Sequence, residues 1–230
     1  MQTFSPEITK IEKLTSNILE LSMVIEGGEF LTFIPGQFVQ FIIGDKVFRS
    51  YSIISLPEEL PLLKFCIKLE DGGVGSEYVR LLKVGDSVPM RGPTGKFVVG
   101  EAQESAVFVA NGVGVAPFYS MIPNVLTKNP EAQASLIFGV RTESDIFYHK
   151  FFTSLAENHS NFNFVQALSQ PQSEWHGYTG RVTKYIEENY HELSNSTFYL
   201  CGSLGMVQDV RAILMQNGHP TDKIKLEIFT

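Results

Sequence analysis

"VFVANGVGVAPF", residues 107–118, joins an apolar run to a helix-forming stretch through two glycines set one residue apart. Val107 to Ala110 reads as a buried strand, and Pro117 suits the first turn of a helix, where its missing N–H costs little. Gly112 and Gly114 permit positive φ and let the backbone approach a ligand closely. The helix start behind them offers unpaired N–H groups and a positive dipole end to a phosphate. Proline stands where the dinucleotide fingerprint has its third glycine. Taken alone, the turn is open to two readings, a nucleotide site or a merely tight connection.

C-terminal to this turn the rhythm repeats. Apolar strands at 106–110, 135–140, 163–168, 197–201 and 225–229 alternate with helical stretches at 117–126, 145–157, 179–188 and 204–216. Repeated βα units imply a parallel sheet covered on both faces. Ser144 is placed to cap a helix whose first turn holds Asp145, Gly218 suits a stop after Gln216, and Pro123 should kink or shorten its helix. "FYLCGSLGMVQDVRAIL", residues 198–214, repeats the strand–turn–helix geometry, ending its strand at Cys201 and Gly202. Ligands of open parallel sheets lie beyond the carboxyl ends of the strands. Cys201 is therefore either a small core residue or a contact for a substrate ring.

N-terminal to the turn the pattern is different. Candidate strands at 8–14, 18–25, 38–43, 48–54, 62–69 and 87–90 are punctuated by Gly27-Gly28, Gly44-Asp45, Leu56-Pro57 and Gly85-Asp86. Six such strands with little helix between them predict a six-stranded antiparallel barrel, with one short helix at 77–83. The change of rhythm falls in "VVGEAQES", residues 98–105, which predicts two domains, 1–100 and 101–230. Within the first, "FRSYSII" places Arg49 and Tyr51 on one strand face and Ser50 and Ser52 on the other. Arg49 carries a fork of donors suited to phosphate, Tyr51 a broad face for stacking, and Ser52 a hydroxyl able to donate to a ring nitrogen. "GGVGSEYV" adds Gly73, Gly75 and Ser76 before the short helix, a second candidate phosphate site. "MRGPTGKF" reads as a turn. An edge strand with a surface salt bridge and two glycine turns explains the same residues without a ligand.

The chain of 230 residues has 43% hydrophobic and 19% charged residues, as a soluble globular protein does. Its net charge of −7 argues against a general nucleic-acid binder. "MQTFSPEITKIEKLT" lacks the apolar run of a signal peptide, and no apolar segment is long enough to span a bilayer. Cys66 and Cys201 are too few for a four-thiolate cluster or a disulfide framework. A cytoplasmic location with reduced thiols is expected. The five histidines show no metal-ligand spacing, and packing accounts for Trp175.

In order along the chain, "RSYS", "GGVGS", "RGPTGKF", "GVGVAP", "FGVRTESD", "GRVT" and "YLCGS" resemble the motifs of the ferredoxin–NADP⁺ reductase superfamily. The resemblance covers nearly the whole chain. It implies a flavin-binding barrel followed by an NAD(P)-binding α/β domain, with FAD as cofactor and NADH or NADPH as substrate. Carried over by motif, Arg49 grips the flavin phosphate with Ser50 beside it, Tyr51 stacks on the ring, and Ser52 approaches its N5. Gly73, Gly75 and Ser76 hold the pyrophosphate. Gly112, Gly114 and Pro117 line the pyridine-nucleotide site, and Cys201 and Gly202 flank the nicotinamide, so that Ser52, Cys201 and Glu227 stand as the catalytic set.

At the C-terminus, Phe229 covers the flavin and Glu227 supplies a carboxylate in some relatives; a final strand with Phe229 in the core and Glu227 solvated is the alternative. Arg141 and Arg181 resemble arginines that hold a 2′-phosphate, whereas Asp145 would repel one if it reached the ribose. The implied activity is an NAD(P)H-dependent reductase, an oxidoreductase passing electrons to ferredoxin, flavodoxin, an oxygenase component or a small-molecule acceptor. The alternatives are an NAD(P)H:flavin reductase using free flavin and an electron-transfer subunit active only within a complex. The segment at Tyr51 and Ser52 is expected to twist or break regularity.

Overall fold

The structure, a computed structural model, describes residues 1–27, 31–44, 46–100, 104–172 and 174–229. Gly28 and Asp45 of the expected turns, and 101–103 of the expected boundary, lie outside the described residues. The chain divides into two compact units. The first takes in Met1–Val98 and Ala116–Met121, the second Val99–Val115 and Ile122–Thr230.

The first unit is built on antiparallel strands. β1 (Gln2–Phe4), β2 (Glu7–Lys13), β3 (Ile18–Val24), β4 (Phe38–Ile42), β5 (Phe48–Ser52), β6 (Leu62–Lys68) and β7 (Met90–Thr94) form two sheets, ordered β1-β7-β4-β5 and β2-β3-β6. Bridges at Glu7–Ser87 and Ile53–Phe65 join the sheets at two corners. Alternation explains the interior: Leu21 and Met23 of β3, Val39 and Phe41 of β4, and Leu63 and Phe65 of β6 are fully buried. Phe41 ties the two sheets, with its ring 4.7 Å from Tyr51 and 5.2 Å from Phe65, both edge-on. Burying a phenylalanine of this kind stabilises by about 2–3 kcal/mol.

Three expectations for this unit need correction. β1 is an additional strand, so the antiparallel strands number seven among the described residues. "MRGPT" is not a turn but β7 itself, starting at the residue where a strand at 87–90 was expected to end. Its pairing with β4 slips between Phe38–Thr94 and Gln40–Arg91, so Gly92 and Pro93 form a bulge. Gly92 has φ +142°, and a Cβ there would come within 3.2 Å of the Phe38 carbonyl oxygen. The helix α1 (Val74–Leu81) begins three residues before the expected start, so Gly75 and Ser76 lie inside its first turn. Ser76 makes this possible by accepting a hydrogen bond from the Glu70 N–H at 2.8 Å.

The second unit holds a six-stranded, wholly parallel sheet of β8 (Ser105–Asn111), β9 (Gln133–Val140), β10 (Phe162–Leu168), β11 (Tyr178–Thr179), β12 (Thr197–Gly202) and β13 (Ile224–Ile228). The order is β11-β10-β9-β8-β12-β13. Its helices are α2 (Ala116–Lys128, whose first six residues count with the first unit), α3 (His149–Asn158), α4 (Val182–Leu193) and α5 (Leu204–Gln216). All six residues of β12 are buried, as a strand covered on both faces requires. On one face Val107, Val109, Phe198 and Leu200 meet Val182, Ile186 and Tyr190 of α4 and Met206, Val207 and Val210 of α5. No helix among the described residues is long and apolar enough to cross a membrane.

Two helix expectations also change. α2 runs unbroken through Pro123. α3 starts at His149 rather than Asp145, because Thr142, not Ser144, opens a short 3-10 turn at Glu143–Asp145 and Tyr148 then turns left-handed with φ +57°.

Candidate active site

In the first unit, β5 pairs regularly with β4 through Ser52, and Ile53 then crosses to Phe65 in the other sheet. The break in regularity comes one residue after Ser52. Straight pairing leaves the side chains on two faces. Arg49 and Tyr51 lie under the first turn of α1: a Cβ on Gly75 would sit 2.9 Å from both Arg49 Cγ and the Tyr51 hydroxyl. A side chain at 75 would force Arg49 and Tyr51 to shift. Arg49 is exposed, donates to the Phe48 carbonyl at 2.9 Å, and has no carboxylate partner among the described residues. Burial pushes the Tyr51 hydroxyl up to about 12, with the Arg49 charge opposing the shift.

Ser52 points the other way, is 4% exposed, and its hydroxyl has no partner among the described residues. Ser50 is exposed and accepts from Gln40 Nε2 at 3.4 Å. Gln40 in turn accepts from Arg91 Nε at 2.8 Å, and the Arg91 guanidinium lies 3.7 Å from the centre of the Phe48 ring. Arg91 is thus a second cation on the Ser50 face, which reading "MRGPTGKF" as a turn concealed. Gly73 is the extended residue preceding α1.

In the second unit, strand order reverses between β8 and β12. The next strands in sequence, β9 to β11, lie to one side of β8, and β12 and β13 lie to the other. That is where an open parallel sheet forms its crevice. The two strand ends interlock there. A Cβ on Gly114 would fall 2.2 Å from the Cys201 carbonyl oxygen, and one on Gly202 would fall 2.1 Å from Asn111 Oδ1. Asn111 closes the junction: its Oδ1 accepts from the Ser203 N–H at 2.9 Å, and its Nδ2 donates to Ser203 Oγ at 3.0 Å. Neither Asn111 nor Ser203 stood out in the sequence, although a polar residue directly before "GVG" and a helix-capping serine after Gly202 were the available signals. Gly112, with φ +52° and open space around its Cβ direction, is the free part of the turn. Pro117 is the second residue of α2.

Cys201 pairs in register with Glu227 of β13 and is fully buried. Burial, then the Glu227 charge, pushes the thiol well up. Burial likewise pushes the Glu227 carboxyl up to about 7. Glu227 is thus half-buried rather than solvated, and Phe229, also half-buried, donates its N–H to the Gly202 carbonyl at 2.9 Å. Val140, Leu168 and Thr179 form one row across β9, β10 and β11. Arg141 directly follows Val140 and Arg181 lies two residues past Thr179, both exposed. Asp145 is occupied locally, accepting from the Thr142 N–H at 3.0 Å and its hydroxyl at 2.8 Å.

These residues fit an anionic, ring-bearing cofactor: a guanidinium with no carboxylate partner and a buried hydroxyl with no partner, both among the described residues, and a helix start with glycine at Gly73 and Gly75. Residues 5–99 match the family described as oxidoreductase FAD-binding domain, and 108–212 match the oxidoreductase NAD-binding domain. The ferredoxin–NADP reductase B of Sorangium cellulosum is 30% identical over 222 residues, spanning 92% of this chain and 91% of that protein. The chain belongs to the ferredoxin–NADP⁺ reductase superfamily. As a member it is an oxidoreductase with an FAD-binding and an NAD-binding domain. The electron transfer component of anthranilate 1,2-dioxygenase from Acinetobacter baylyi is 34% identical over 188 residues, 80% of this chain. The chain spans only 54% of that relative's length. In fold, it superposes on a ferredoxin NADP⁺ reductase from Neisseria gonorrhoeae, with bound FAD and NADP, at a TM-score of 0.85 and 21% identity, covering 99% of each chain.

Proposed function

We propose that this reductase carries electrons from NADH or NADPH through FAD to a separate acceptor, such as ferredoxin, flavodoxin or an oxygenase component. The observation that carries the reading is the close set of Arg49, Tyr51 and the first turn of α1, made possible by Gly75. Flavin, when bound, accepts a hydride and releases electrons singly, which nicotinamide does poorly.

The chain's own residues supply binding and position. Arg49 binds the flavin phosphate, Tyr51 offers its ring, and the N–H groups of Gly75 and Ser76 take the pyrophosphate. The buried Ser52 hydroxyl would be free to hydrogen-bond the ring. Gly112 lets the nucleotide lie close to the backbone, and Arg141 and Arg181 attract its 2′-phosphate when one is present. Cys201, kept protonated by burial, forms a small neutral wall at the nicotinamide. Glu227, whose proton is held to about pH 7, can give or take a proton beside it. Residues 1–100 form the flavin-binding part and 101–230 the nucleotide-binding part. A cytoplasmic setting suits two free cysteines.

The purified protein should stay yellow after desalting, and stopped-flow mixing with NADH or NADPH should bleach the flavin before an added acceptor reoxidises it. Arg49→Ala should weaken FAD binding roughly tenfold or more, as loss of a charge-assisted hydrogen bond does. A colourless protein that turns over added flavin would instead make flavin a substrate. No bleaching with either nucleotide would end the reductase reading.

A further inference from the structure

β10 is paired along its whole length on one side and only at its end on the other. All seven residues of Phe162–Leu168 pair with β9, whereas β11 takes only Ala167 and Leu168. The Leu168 carbonyl accepts from the Gly180 N–H at 2.8 Å, which fixes the side its main-chain groups face. Alternate residues share that side, so Phe164 and Gln166 turn N–H groups outward, N-terminal to the reach of β11. No strand among the described residues takes them.

An open groove of about 780 Å³ runs beside this edge. One wall is a single face of α3, from His149 through Thr153 to Glu157, and the other is the segment 174–178 with Trp175 and Tyr178. Gln166, 5% exposed, lines the groove; its Nε2 donates to the Phe138 carbonyl at 2.9 Å while its Oε1 has no partner among the described residues. The lining carries the carboxylates of Glu157 and Glu174 and no lysine or arginine. Unpaired backbone, aromatic faces and negative charge together suit one kind of occupant. Backbone groups recruit an added strand, while carboxylates and ring faces attract its cationic side chains.

We propose that the free edge of β10 is a docking site for an extended, basic segment of a partner protein, added as a strand beside Phe164 and Gln166. A second copy of this chain would bring its own acidic groove and a net charge of −7 against the same carboxylates, so it is the poorer occupant.

Trp175 is the only tryptophan, so its emission reports on the groove directly. Titrating the full chain with a short blocked peptide of alternating arginine and valine should give a saturable change in that emission. The Phe164 and Gln166 amides should gain protection from hydrogen exchange. The double variant Glu157→Gln/Glu174→Gln should bind roughly fivefold more weakly. The same peptide N-methylated along its backbone should not bind, which tests strand addition without altering the protein. Equal binding of the N-methylated peptide, equal binding of a glutamate–valine peptide, or an unchanged emission would each overturn the proposal. So would protection of the two amides by self-association alone.

Discussion

At the scale of single residues, Glu227 ties the site to folding stability. Its carboxyl rises by burial from an ordinary 4.5 to about 7, so the folded chain holds this proton more tightly than the unfolded chain. Between about pH 4.5 and pH 7 the unfolded chain ionises first, and stability falls as pH rises through that window; above it the contribution is constant. The span corresponds to about 3 kcal/mol. Urea unfolding of the wild type and of Glu227→Gln across this range should therefore show a slope in the first that is reduced in the second. Equal slopes would mean that Glu227 is ionised in the fold at pH 5. That Cys201 and Gly202 end a strand and Gly112 follows one was legible in the sequence, because an apolar run giving way to glycine and a helix start is a local signal. Asn111 was not, because its role depends on Ser203, ninety-two residues away. Arg91 was hidden for a related reason: the glycine and proline beside it serve a bulge, and nothing local separates a bulge from a turn.

At the scale of elements, α2 illustrates how packing overrides a local rule. A proline past the first turn removes one hydrogen bond and crowds the carbonyl four residues back, at a cost of about 3 kcal/mol. The helix nevertheless continues through Pro123 to Lys128. The buried side chains of Phe118, Met121, Ile122, Val125 and Leu126 supply more than enough apolar burial to hold it. Pro123→Ala should therefore stabilise the chain, by roughly 1–3 kcal/mol, seen as a higher Tm. An unchanged or lower Tm would show that the proline ring itself is needed in the packing. Local hydrogen bonds, rather than packing, set the misread starts of α1 and α3. Gly75 is a poor helix former held in the first turn of α1 by Ser76 and Glu70, and Asp145 looks like a helix start but serves the turn before it. By contrast, α5 begins at Leu204 as read, because Ser203 caps it locally, accepting from the Met206 N–H.

At the scale of the whole molecule, the two rhythms of the sequence correspond to two architectures, because strand alternation and βα repetition are both local signals. The allocation of 116–121 to the first unit is not local, and no periodicity could reveal it. Phe118, Ser120 and Met121 are fully buried there. The Phe118 ring lies 5.9 Å from that of Phe97, and the Met121 sulfur lies 3.0 Å from the Cβ position of Gly36. A fragment cut after Gly100 lacks these residues and uncovers the core surface they occupy. Losing two large side chains from a core costs on the order of 5 kcal/mol, comparable to the entire stability of many small domains. The fragment 1–100 should accordingly unfold at a much lower urea concentration than the full chain, and should bind FAD weakly even though Arg49, Tyr51 and Gly75 are all present. Circular dichroism during a urea titration, with and without saturating FAD, checks both statements. A fragment as stable as the full chain would mean that 116–121 adds nothing to the unit with which it packs. Rescue by saturating FAD would show instead that the grip is intact and only its foundation is weakened, since a ligand bound by the fold alone shifts the unfolding equilibrium towards it.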